Sequence, residues 1–181
     1  MHTTAIPDWL EFADTDKPYV ERIYDRREPK LSPKRRHSLA QARIWGVIDR
    51  WAGDRGEAGT ELRCYLVSGE PKPSSLVPDV AYYSFERLPR DVPDDERERP
   101  RIAPDIAVEV FSPGDRRRSL AQKIELYLRH GSIVVIVVDP QARTVGFHRR
   151  DGTTTFVARG RIAVEPYAGL ILDFDDIFRG F

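Results

Sequence analysis

The amino-acid sequence predicts an α/β fold in which a mixed central β-sheet is flanked by helices. Ser132-Ile133-Val134-Val135-Ile136-Val137-Val138-Asp139 is an almost purely β-branched run, the mark of a strand buried on both faces. A strand pattern at 105–111 and a helical pattern at 116–130 precede it, at the spacing of a parallel crossover. Short strands before and a hairpin after make the sheet mixed, and no change of composition divides residues 1–181 into more than one domain.

In chain order, Asp8-Trp9-Leu10-Glu11-Phe12 suits a short helix and Tyr19-Val20-Glu21-Arg22-Ile23-Tyr24 an edge strand. Ser32-Pro33 is a helix start, since Ser caps and Pro is tolerated in the first turn. That helix should run from Pro33 to Trp51 or Ala52, before Gly53, with Ala40, Ile44, Val47, Ile48 and Trp51 as its apolar stripe. Strands follow near 61–68, 77–83 and 105–111. The Pro-, Asp-, Glu- and Arg-rich stretch 86–101 reads as a solvated loop or, alternatively, as a substrate-facing one. Gly114-Asp115 ends the third strand, and Gly131 closes the helix of 116–130. Hairpin strands at 143–149 and 153–158 surround the turn Arg150-Asp151-Gly152, and an apolar segment at 171–178 closes the sequence.

Composition narrows the function classes. With 40% hydrophobic and 32% charged residues the chain has the balance of a soluble globular protein. No apolar run approaches the roughly 20 residues that cross a bilayer, and no secretory signal opens the sequence. The single cysteine, Cys64, excludes an internal disulfide and a thiolate zinc site, which makes a reducing, cytoplasmic location the expectation. Its strand context assigns it to the core. The net charge is zero, so any nucleic-acid contact must rest on local patches.

Chemistry concentrates on two acidic strands. In Pro104-Asp105-Ile106-Ala107-Val108-Glu109-Val110-Phe111, alternation points Asp105, Ala107 and Glu109 to one face and Ile106, Val108 and Val110 to the other. Asp79, in Val77-Pro78-Asp79-Val80, opens a similar strand. Buried carboxylates cost several kcal/mol unless a positive charge satisfies them, and hard oxygen ligands on rigid strands are what a divalent cation needs. In the second helix Leu120, Ala121, Ile124, Tyr127 and Leu128 form the apolar arc, with Lys123 at its edge. That lysine either snorkels to water or aims its amine at the acids. His37 shares the stripe of the first helix with Gln41 close by, either as a core histidine or as a polar view into a pocket. Lys34-Arg35-Arg36, Arg116-Arg117-Arg118 and Arg149-Arg150 are solvated charges or phosphate contacts. His2, His130 and His148 lack ligand spacing, and no Ser/His/Asp elbow, HExxH, GxGxxG or Walker loop is present.

Together these residues resemble the PD-(D/E)xK nuclease superfamily, and more closely the bacterial Uma-type family of restriction-endonuclease-like proteins. The resemblance runs through Tyr19-Val20-Glu21, Lys30 to His37, Val77-Pro78-Asp79-Val80, Pro104 to Pro113, Lys123-Ile124-Glu125-Leu126-Tyr127 and Val137-Val138-Asp139-Pro140. It implies a restriction-endonuclease-like fold and Mg²⁺- or Mn²⁺-dependent cleavage of DNA. Asp79 and Glu109 would bind the metal, with Asp105 as an additional ligand or as an acid behind the ligands. Lys123 would be a migrated catalytic lysine, because Phe111 stands where the pattern expects one. His37 and Gln41 lie where related nucleases often place a first-helix glutamate, and His37 joins the catalytic set. Tyr24-Asp25 departs from the family's usual Asp-Gly turn.

The alternative reading is a catalytically inactive nuclease-fold module that binds nucleic acid or protein. Partners follow as DNA, no membrane, and a homodimer as one of two readings of the apolar C-terminal segment. In that reading Ile177, Phe178 and Phe181 would form the contact; in the other Leu170, Leu172 and Phe174 simply pack on their own sheet.

Overall fold

A computed structural model describes residues 19–30, 33–67, 69, 73–112, 114 and 116–181. The helix expected at 8–12 and the cap expected at Ser32 lie outside the described residues. The chain forms twelve strands and four helices in this range, with a 3₁₀ turn at Gly53–Arg55.

Strands β1 (Val20–Ile23), β2 (Arg26–Pro29), β4 (Cys64–Leu66) and β5 (Ser74–Leu76) build a four-stranded sheet in the order β2-β1-β5-β4. Strands β3 (Gly56–Thr60), β6 (Val80–Ser84), β7 (Ile106–Val110), β8 (Val134–Asp139), β9 (Thr144–Arg149) and β10 (Thr154–Val157) form the central sheet. Its order is β10-β9-β8-β7-β6-β3. The β7–β8 pair is parallel and the other neighbours are antiparallel, so the expected mixed sheet is what forms. A small ribbon of β11 (Arg161–Ala163) and β12 (Ile171–Asp173) completes the strands.

Helix α1 (Arg35–Ala52) covers one face of the central sheet. Ala40, Ile44, Ile48 and Ala52 recur at helical spacing and are fully buried against Val80, Ile106, Val108, Val110 and Ile136. Helix α3 (Arg117–Arg129) covers the other face, with Leu126 and Tyr127 packed on Ala107, Val135 and the four-stranded sheet residues Ile23, Leu66 and Leu76. The alternation expected along 105–110 is therefore realised, with Ala107 in one core and its neighbours in the other. A short helix α2 (Asp94–Glu98) interrupts the 86–101 stretch, and α4 (Phe174–Ile177) ends the fold.

Three expectations change. The strand expected over 61–68 shortens to β4, with Glu61 at φ 56° in the turn between β3 and β4, while β3 and β5 arise where no strand is expected. The buried face of α3 is Ser119, Lys123, Leu126 and Tyr127, rotated from the expected arc, so that Ala121 is exposed. Ile177 and Phe178 are each 1% exposed within the chain's own core, and Arg43 binds the carbonyls of Ile177 and Arg179. Neither apolar side chain therefore offers a dimer contact.

Candidate active site

The site is assembled by one register. In the antiparallel β6–β7 pair Val80 stands opposite Val108, so Asp79, just before β6, lies at the end of β7 that carries Glu109. The peptide N–H of Asp79 donates to the Val108 carbonyl (2.9 Å), and Val110 N–H donates to Asp79 Oδ2 (2.6 Å). Strand pairing and the bond from the Val110 N–H to the Asp79 carboxylate thus bring two acids 30 residues apart in sequence to one end of the sheet.

Each acid has its own cations and donors. His37 Nε2 lies 3.2 Å from Asp79 Oδ2, and Lys30 Nζ lies 2.7 Å from Asp79 Oδ1. That oxygen is buried, with the Lys30 ammonium as its ionic partner. Gln41 Nε2 donates to the Asp79 carbonyl at 2.9 Å. On the other side Lys123 Nζ donates to Glu109 Oε2 (2.7 Å) and Glu21 Oε2 (3.0 Å), while the Tyr127 hydroxyl donates to Glu109 Oε1 (2.8 Å). Glu21 Oε1 in turn accepts from Val77 N–H at 2.8 Å. Lys123 therefore ties α3 to both sheets.

Burial sets the electrostatics. Desolvation pushes the Glu109 carboxyl up to about 7; Lys123 opposes that rise, and Glu21 and Asp79 add to it. Burial would also raise Asp79, but Lys30 and His37 outweigh it and hold its carboxyl well below the usual range. For Lys123 burial favours the neutral amine, yet Glu109 and Glu21 keep it firmly protonated.

These groups line a cavity of about 90 Å³, with Glu21, Lys30, His37, Asp79, Glu109 and Lys123 on its wall and Arg116 among its other residues. A wider groove lined by Lys34, Arg35, Arg36, Phe111 and Pro140 shares His37 and Ser112 with it. Asp79, Glu109, Lys123 and His37 are thus gathered around one space. Asp105 is not. It sits four residues back along the strand, about 13 Å away by strand rise. There Ser84 N–H and hydroxyl donate to its Oδ2 and Arg87 lies 3.3 Å from Oδ1. A backbone turn and an arginine already satisfy it, which corrects the expectation of a third ligand at this cavity.

Among the described residues no three acidic, histidine or cysteine side chains converge closely enough to hold an ion on their own. Asp79 and Glu109 nevertheless suit Mg²⁺, which typically takes one or two carboxylates and completes its shell with water and substrate phosphate. Asp79 Oδ1, whose partner is the Lys30 ammonium, is the oxygen such an ion would approach.

The sequence left Glu21, Lys30 and Tyr127 without a role. For Glu21 a signal was present: it alternates in phase with Ile23, and both are buried. For Lys30 there was none, because its contact with Asp79 spans 49 residues of sequence.

Comparison with known proteins places this geometry. A crystal structure of a "putative nuclease belonging to DUF820" from Anabaena variabilis ATCC 29413 superposes with a TM-score of 0.78 at 27% identity. The match covers 90% of this chain and 91% of that one. The comparison with curated proteins finds no match. A family model, Uma2, described as "Putative restriction endonuclease", matches residues 6–171. Because that match spans most of the sequence, including every residue of the cavity wall, the chain belongs to the Uma2 family.

Proposed function

We propose that the chain is a metal-dependent endonuclease that hydrolyses phosphodiester bonds of DNA. The observation that carries this reading is Asp79 and Glu109 on the wall of one open cavity, with Lys123 bound to Glu109. The family description and the name of the Anabaena protein support it. A Mg²⁺ or Mn²⁺ ion held by Asp79 and Glu109 would supply Lewis acidity and a more acidic water. Lys123 would place a permanent positive charge where negative charge builds on the phosphate. Tyr127 and Glu21 hold Glu109 and Lys123 in place, and His37 orients Asp79. Arg116 at the cavity and Lys34, Arg35 and Arg36 along the adjoining groove would meet flanking phosphates, which keeps the DNA contact local on a chain of zero net charge. Cutting both strands from one such site takes either a homodimer or two successive nicks.

A second reading rests on the two ammonium groups already seated on the acids. They satisfy the carboxylates without a metal, as a non-catalytic binding module would require. A plasmid-nicking assay with Mg²⁺ or Mn²⁺ separates the two. The enzyme is expected to relax supercoiled DNA, with Glu109→Ala and Lys123→Ala each slower by about 100-fold or more. Wild-type protein that binds DNA yet leaves it intact with both metals would support the module instead.

A further inference from the structure

Once Val110 and His37 have taken Asp79 Oδ2, its other oxygen is the place left for an incoming cation. Lys30 already stands there, 2.7 Å from Oδ1. We propose that Lys30 is a built-in cation that competes with the divalent ion for Asp79, so that loading the site requires its ammonium to swing away. The inference deepens the metal-dependent reading above and rests on it.

Lys30 and Lys123 are seated differently. Lys123 bridges two buried acids, so its departure would strand both Glu21 and Glu109. The other partner of Lys30 is the neutral Val77 carbonyl, at 2.7 Å. When Lys30 leaves, a single carboxylate loses its cation, and the metal supplies the replacement. The backbone does not have to move: Lys30 N–H is pinned to the Tyr19 carbonyl at 2.7 Å just past the end of β2. The ammonium rides on a flexible four-carbon stem whose side chain is 13% exposed, so solvent is within reach. Charge also balances. With all three ionised, Glu21, Asp79 and Glu109 face the ammoniums of Lys30 and Lys123. Without Lys30 the deficit is two charges, which one divalent ion cancels.

Calorimetric titration of Mn²⁺ into the full chain tests this without DNA. Lys30→Gln is expected to bind Mn²⁺ about tenfold or more tighter than wild type, because a like charge has been removed from the ion's position. Lys30→Arg, which keeps the charge, should stay close to wild type. Equal or weaker binding by Lys30→Gln, or no Mn²⁺ binding by either protein, overturns the proposal. A second measurement uses wild type alone, in case the Gln variant disturbs β2. Reductive methylation read by mass spectrometry should modify Lys30 several-fold faster when Mn²⁺ is present, and an unchanged rate overturns the proposal. Both readouts are independent of cleavage. Mn²⁺-linked behaviour of Lys30 in a protein that leaves DNA intact would therefore sink the endonuclease reading and leave this one standing.

Discussion

Asp79 is 2% exposed, yet its carboxyl is held in the charged form by Lys30 and His37 against the cost of burial. An acid whose folded pKa lies below its unfolded value adds stability that is fully present above the unfolded pKa, 3.8 here, and is lost as pH falls toward the folded one. Metal-free protein should therefore lose stability on acidification below about pH 4, and Asp79→Asn should flatten that part of the curve. Urea unfolding followed by circular dichroism between pH 5 and pH 2 checks this, and an identical slope in the variant would refute it. Residues of this kind were partly legible in the sequence. Asp79 and Glu109 stood out because acids inside β-branched runs demand a partner, and Lys123 because it fell near the buried arc of a helix. Asp105 shared that signal, but sequence alone could not reveal that Arg87 and Ser84 satisfy it. Lys30 became visible only when the fold brought the end of β2 against the start of β6.

At the scale of elements, the hydrophobic pattern specified the long pieces well. The β-branched run became β8, and the stripe Ala40, Ile44, Ile48 became the buried face of α1. The strands it missed, Gly-Glu-Ala-Gly-Thr of β3 and Ser-Ser-Leu of β5, carry little β-propensity or alternation, and pairing with β6, β1 and β4 makes them strands. β3 is held to β6 by close approach, which makes Gly56 sensitive. Its backbone is extended, but a Cβ there would press on the Tyr83 carbonyl and come within 2.6 Å of the Tyr82 ring. Tyr82 is itself packed edge-on against Trp51 and Tyr167. Gly56→Ala should cost about 1–3 kcal/mol, the usual range for overpacking, and a melting curve unchanged from wild type would contradict this.

Across the whole molecule, the cavity lies where the two sheets meet. Glu21 comes from the four-stranded sheet, Glu109 from the central one, and Lys123 from the helix that covers both. No described helix is long and apolar enough to cross a membrane. The cluster of charges is expensive to bury and is held in one geometry by three elements, as a preorganised catalytic centre would be. The most direct test of that claim is the initial rate of Mg²⁺-dependent cleavage of an end-labelled DNA duplex by wild type and Asp79→Asn, each shown to be folded. Cleavage by wild type, with Asp79→Asn slower by about 100-fold or more, is the predicted result; cleavage at the same rate by both proteins, or by neither, would contradict it.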